Sequence, residues 1–153
     1  MGNTLKQQLA DAVKTAMRAK EADRLGTLRF LLAAIKQKEV DERIDLNDEQ
    51  VISIIEKQVK QRRESIAAFE KAGRTETAEK EKAELRVLQE FLPQPAAPEE
   101  LEAAISAAMA EVANQGISGA PAMGKIMAIL KPALAGRADM SAVSAQVKAR
   151  LMP

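Results

Sequence analysis

Hydrophobic residues recur at three- and four-residue intervals along most of the chain, with polar residues between them. That is the period of amphipathic helices. The first run is Leu5, Leu9, Val13, Ala16 and Met17, entered through Thr4 and Gln7 at capping-box spacing. It predicts a helix ending near Lys20. A second helix is expected from about Asp23 to Arg43, with Leu25, Leu28, Leu32 and Ile35 on one face and Leu31 beside them. Gly26 lies near its start, where a glycine costs under about 1 kcal/mol relative to alanine. Asn47 and Gln50 repeat the capping-box spacing, and Asp48 and Glu49 suit the positive end of a helix dipole. The third helix carries Val51, Ile52, Ile55, Val59, Ile66 and Phe69 and stops at Gly73, its C′ residue. Thr75 is read as the cap of a fourth helix with Ala78, Leu85, Leu88 and Leu92 inward.

Three prolines then fall within six residues, Pro93, Pro95 and Pro98, and no helix runs through such a segment. Pro98 suits the first turn of a new helix, and Glu99 and Glu100 suit its dipole. Leu101, Ile105, Ala108, Met109 and Val112 form its apolar face. Gly116 and Gly119 mark a loop, and Pro121 opens a helix with Met123, Ile126, Met127, Leu130 and Leu134. Pro132 should kink or end it. Gly136 and Asp139 make a stop and a restart before Met140, Val143, Val147 and Leu151. No stretch alternates convincingly with period two. The expected fold is all-α, an N-terminal domain of about four helices over 1–92 and a C-terminal three-helix bundle over 99–153, joined by a Pro-rich linker over 93–98.

Composition removes whole classes of chemistry. The 153 residues contain no Cys and no His. Disulfides, thiolate metal sites, thiol nucleophiles and Ser-His-Asp triads are therefore excluded. Net charge is +1, from 23 basic and 22 acidic side chains, so only a local patch can attract an anionic partner. The charges are unevenly spread. Residues 1–92 hold 18 basic and 17 acidic groups, whereas residues 93–153 hold 5 of each. No apolar run approaches the roughly 20 residues that span a bilayer. The N-terminus shows no signal-peptide pattern, and Lys6 stands where a myristoylation motif wants Ser or Thr. A cytoplasmic protein without membrane contact is expected.

Five basic residues of the tail, Lys125, Lys131, Arg137, Lys148 and Arg150, are the candidates for binding an RNA backbone. They could share one surface if their helices pack side by side; otherwise they are ordinary solvated charges. A weaker candidate is Lys57, Lys60, Arg62 and Arg63 on the third helix, where Glu56, Glu64 and Glu70 interleave and favour a salt-bridged exposed face. The acids Glu39, Asp41, Glu42, Asp45, Asp48 and Glu49 lack the turn glycine and ligand spacing of a calcium loop, and read better as an acidic interhelical loop. Gly116, Gly119 and Gly124 are turn residues, not a phosphate loop, because no strand precedes them and no Gly-Lys-Ser or Gly-Lys-Thr follows. Met109, Met123, Met127 and Met140 sit at helical spacing and read as core. Ser106, Ser141 and Ser144 have no identifiable base. No catalytic residue, metal or cofactor is expected.

The segment Ala122–Asp139, AMGKIMAILKPALAGRAD, with the apolar pattern that follows to Leu151, resembles the tail domain of the B subunit of glutamine-dependent tRNA amidotransferase. The shared features are the Gly124-to-Met127 turn into a short helix and the Gly136-Arg137 loop into the last one. The segments Met17–Arg43 and Gln61–Pro95 resemble the free-standing YqeY-like proteins, which carry this tail without the amidotransferase body. The resemblance implies a tail that helps hold tRNA. The part of the B subunit that performs ATP- and magnesium-dependent activation has no counterpart in these residues. The expected function is a non-catalytic RNA-associated accessory protein that contacts tRNA or another structured RNA through its tail. Amidotransferase or aminoacylation components are its expected protein partners. Two alternatives remain open. One is an accessory subunit in carbon–nitrogen ligase activity with glutamine as amido-N donor. The other is a protein–protein interaction module without RNA affinity.

Overall fold

The computed structural model describes residues 4–152, and these form seven α-helices with no strand. In order they are α1 (Leu5–Arg18), α2 (Ala22–Glu42), α3 (Asp48–Lys71), α4 (Thr75–Gln89), α5 (Pro98–Asn114), α6 (Ala120–Leu134) and α7 (Met140–Leu151). The chain divides into two compact units, Met1–Leu92 and Pro93–Pro153. Each has its own apolar core.

In the first unit α1 lies on α2, and α3 pairs extensively with α4. Leu9, Leu28, Leu31, Val51, Ile55 and Leu88 are wholly buried between them. Asn47 and Gln50 form the full reciprocal capping box at α3. At α1 only half of the expected box is made. Thr4 accepts from the Gln7 N–H, but the Gln7 side chain turns to Asp11. Thr75 does not cap α4. It is the first helical residue, and Arg74 holds the cap position without a side-chain bond, because the turn at Gly73 delivers the chain one residue earlier. Met17, expected on the core face of α1, is half exposed, since neighbouring Ala16 fills the inward position.

Helices α1, α3 and α5 end in the same way. The C′ residue is left-handed (Lys20, Gly73 and Gly116), and paired backbone bonds run back to the last turn, such as Glu21 N–H to Ala16 O at 3.0 Å and Arg74 N–H to Phe69 O at 2.8 Å. Only Lys20 of the three carries a Cβ, so only there does the motif cost strain.

In the second unit α6 packs against both α5 and α7. Ile105, Val112, Ile126, Leu130, Val143 and Val147 are sealed among these helices. Met109, Met123, Met127 and Met140 pack half-buried at the rim of that core. α6 continues two residues past Pro132 and ends at Leu134. Asp139 caps α7 by accepting the Ser141 N–H at 3.0 Å. The proline-rich segment is tied down within this unit. Ala96 N–H donates to Arg137 O at 2.8 Å, and Arg137 Nε donates to Gln94 O at 2.9 Å.

Candidate nucleic-acid interface

The five basic residues of the tail fall into two groups. Lys125 and Lys131 on α6 and Lys148 on α7 are exposed and make no ion pair among the described residues. The α6 core stripe is Ala122, Ile126, Leu130 and Leu134. At about 100° per residue, Lys125 and Lys131 leave the helix on opposite flanks of that stripe, roughly 120° apart. Lys131 stands in the last turn of α6 and Lys148 in the last turns of α7.

The two arginines are occupied. Arg137 is half-buried between the Glu100 carboxylate and the Gln94 carbonyl, so it fastens the proline segment to the loop before α7. Arg150 pairs with Glu102 and links α7 to α5. That guanidinium holds the Glu102 carboxyl below its ordinary range. An anion approaching either arginine competes with a carboxylate already bonded to it.

The α3 cluster divides similarly. Lys57, Lys60 and Arg63 are exposed. Arg62 is half-buried and reaches α4, where it bonds Glu81 at 3.1 Å and also Glu84, while its guanidinium lies 6.0 Å from the Phe30 ring centre. Its partners come from the facing helix and not from the interleaved acids of α3, a pairing that only the tertiary fold reveals.

Of the six acids expected as an interhelical loop, Glu39, Asp41 and Glu42 lie in α2 and Asp48 and Glu49 in α3, leaving only Asp45 between the helices. Asp48 accepts the Leu5 N–H at 2.9 Å, tying the start of α1 to the start of α3. Glu39 accepts from Lys6 Nζ at 2.6 Å and from the Leu46 N–H at 2.9 Å. The Lys6 bond comes first among the causes that lower the Glu39 carboxyl, and its counterpart raises Lys6. Among the described residues no three acidic side chains gather as metal ligands. Gln58 of α3 is buried, and its Oε1 has no hydrogen-bond partner there. No helix among the described residues is long and apolar enough to cross a membrane.

A two-unit helical protein with an alanine-rich tail bundle is thus defined, and its sequence places it among known proteins. Residues 6–151 match the family model described as Yqey-like protein. The chain belongs to the YqeY-like family. It is similar to proteins named altered inheritance of mitochondria protein 41, mitochondrial. The one from Eremothecium gossypii is 43% identical over 89 residues, which cover 58% of this chain and 46% of the relative. The one from Lachancea thermotolerans is 36% identical over 103 residues, covering 65% and 55%. The one from Pyrenophora tritici-repentis is 31% identical over 149 residues, covering 95% and 80%. The chain therefore spans about half the length of the first two relatives.

Proposed function

We propose that this YqeY-like protein is a non-catalytic accessory protein that contacts tRNA through its tail unit, beside an amidotransferase or another aminoacylation component in the cytoplasm. The observation that carries the reading is the set of three exposed tail lysines, Lys125, Lys131 and Lys148, none of which is engaged by a carboxylate among the described residues. Unneutralised lysines bind phosphate by charge and release counterions on doing so. The likeness of Ala122–Asp139 to the amidotransferase tail supports the same assignment. Arg137 and Arg150 serve here as internal fasteners and contribute to binding only by shaping the bundle.

The test is binding of a labelled tRNA pool to the purified protein and to a Lys125→Ala/Lys131→Ala/Lys148→Ala variant at low salt. The reading expects binding by the first and about a tenfold or larger loss in the variant, with unchanged helical circular dichroism. Absence of binding by the unaltered protein would overturn it and favour a module that docks proteins only.

A further inference from the structure

Helix α2 has two apolar faces. One is the core face of Leu28, Leu31 and Ile35. The other points outward and carries Gly26, Phe30, Ala33 and Val40, interrupted by the polar Gln37, with Ile44 just past the helix end, and all six are exposed. Their spacing alternates four and three, which is the seam of a coiled coil. Phe30 and Val40 are 61% and 59% exposed, unusual for side chains of their size. Gly26 and Ala33 leave room for close approach, and a Cβ added at Gly26 meets nothing within 4 Å.

Arg29 and Lys36 run along one flank of this seam, two helical turns or about 10 Å apart, and Arg43 follows them at the left-handed C-cap of the helix. None forms an ion pair among the described residues, though the Lys36 charge contributes to lowering the Glu39 carboxyl. Arg29 Nη2 donates to the half-exposed Met17 Sδ at 3.6 Å, which widens the apolar strip. Two surface depressions mark the ends of the face. One, of about 260 Å³, is lined by Gly26, Phe30 and Arg62 together with Asp23, Lys80 and Glu84. The other, of about 360 Å³, is lined by Lys36, Val40, Arg43 and Ile44 together with Glu39 and Asp45, both of which pair with Lys6.

We propose that the outward face of α2 docks an amphipathic helix of a partner protein, one with apolar seam residues and acidic flanks. The 4–3 seam specifies a helix, and the cation row specifies its charge. A second copy of the chain fits poorly. Antiparallel pairing sets the cation rows against each other. Parallel pairing sets them against the positions of Thr27, Ala34 and Asp41, of which only Asp41 is acidic, and it already accepts from Gln37 at 2.8 Å.

The test titrates the full chain into a labelled synthetic helix of three heptads (about 21 residues), with Leu at the seam and Glu on both flanks. A second peptide carries Lys on the flanks, and an oligouridylate serves as the nucleic-acid probe. The acidic peptide is expected to bind and the basic one not. Ala33→Glu and Lys36→Glu, made separately at exposed positions, should each weaken binding about tenfold while the circular dichroism stays unchanged. Three results would overturn the proposal: no binding of the acidic peptide, equal binding of the basic peptide, or an acidic-peptide affinity untouched by both substitutions. Displacement of the acidic peptide by oligouridylate would instead assign the face to nucleic acid.

Discussion

The two units solve the same problem, covering a helical core, by different means. In the first, long charged helices are laced across their interfaces: Lys6 to Glu39, Arg24 to Glu90, Arg62 to Glu81 and Glu84, Lys82 to Glu70. In the tail, few charges are present and the two arginines are spent on fastening, Arg137 to Glu100 and Arg150 to Glu102. Its remaining three lysines are left to solvent. The lesson is that a count of basic residues says little about binding. What matters is which of them the fold has already neutralised.

The largest expected effects come from the cores. Leu88→Ala in the first unit and Leu130→Ala in the tail each delete a buried side chain and should cost about 2–5 kcal/mol. Amide hydrogen exchange is the check, because each core is built from residues of its own unit. Protection should fall chiefly in α1–α4 for the former and in α5–α7 for the latter. Next is Arg62→Ala, which leaves Glu81 and Glu84 side by side without their shared cation. Allowing for partial exposure, a loss of about 1–3 kcal/mol is expected in denaturant titration, with the Arg62→Ala/Glu84→Gln double variant recovering part of it.

Smaller effects sharpen the contrast in helix endings. Lys20→Gly relieves the left-handed C′ position of α1 and should stabilise the first unit by about 1 kcal/mol. Gly116→Lys imposes the same strain on α5 and should destabilise the tail by a similar amount. Gln58→Met removes the unpartnered buried Oε1 and should gain about 1 kcal/mol in thermal unfolding. The pH dependence follows from Glu39. Its folded carboxyl is lowered, so its contribution is complete above the ordinary carboxylate range and is lost as pH falls through the lowered value. Glu39→Gln should therefore flatten the acid limb of the first unit's stability curve.

The helices were legible because their caps and apolar periods agree. Asn47 with Gln50 and Asp139 before Met140 each mark a start that the backbone uses. Thr75 misled because a good capping residue one position inside a helix is written like one at its edge. The outward face of α2 was overlooked for a related reason. Once Leu28, Leu32 and Ile35 supply one helical face, the interleaved series Gly26, Phe30, Ala33, Gln37, Val40 and Ile44 reads as background, though its spacing is in the sequence. The role of Arg137 was not legible at all. Its partners, Gln94 and Glu100, are distant in the chain and meet it only after the tail closes. Arg62 is the same case in the first unit.

The proposal that Lys125, Lys131 and Lys148, unpaired among the described residues, meet tRNA is tested by the salt dependence of tRNA affinity. The logarithm of the binding constant should fall linearly with the logarithm of salt concentration. Its slope should be shallower by about two to three in the Lys125→Ala/Lys131→Ala/Lys148→Ala variant, one counterion per lost contact. Identical slopes in the two proteins would contradict the claim, because any tRNA binding would then run through other residues.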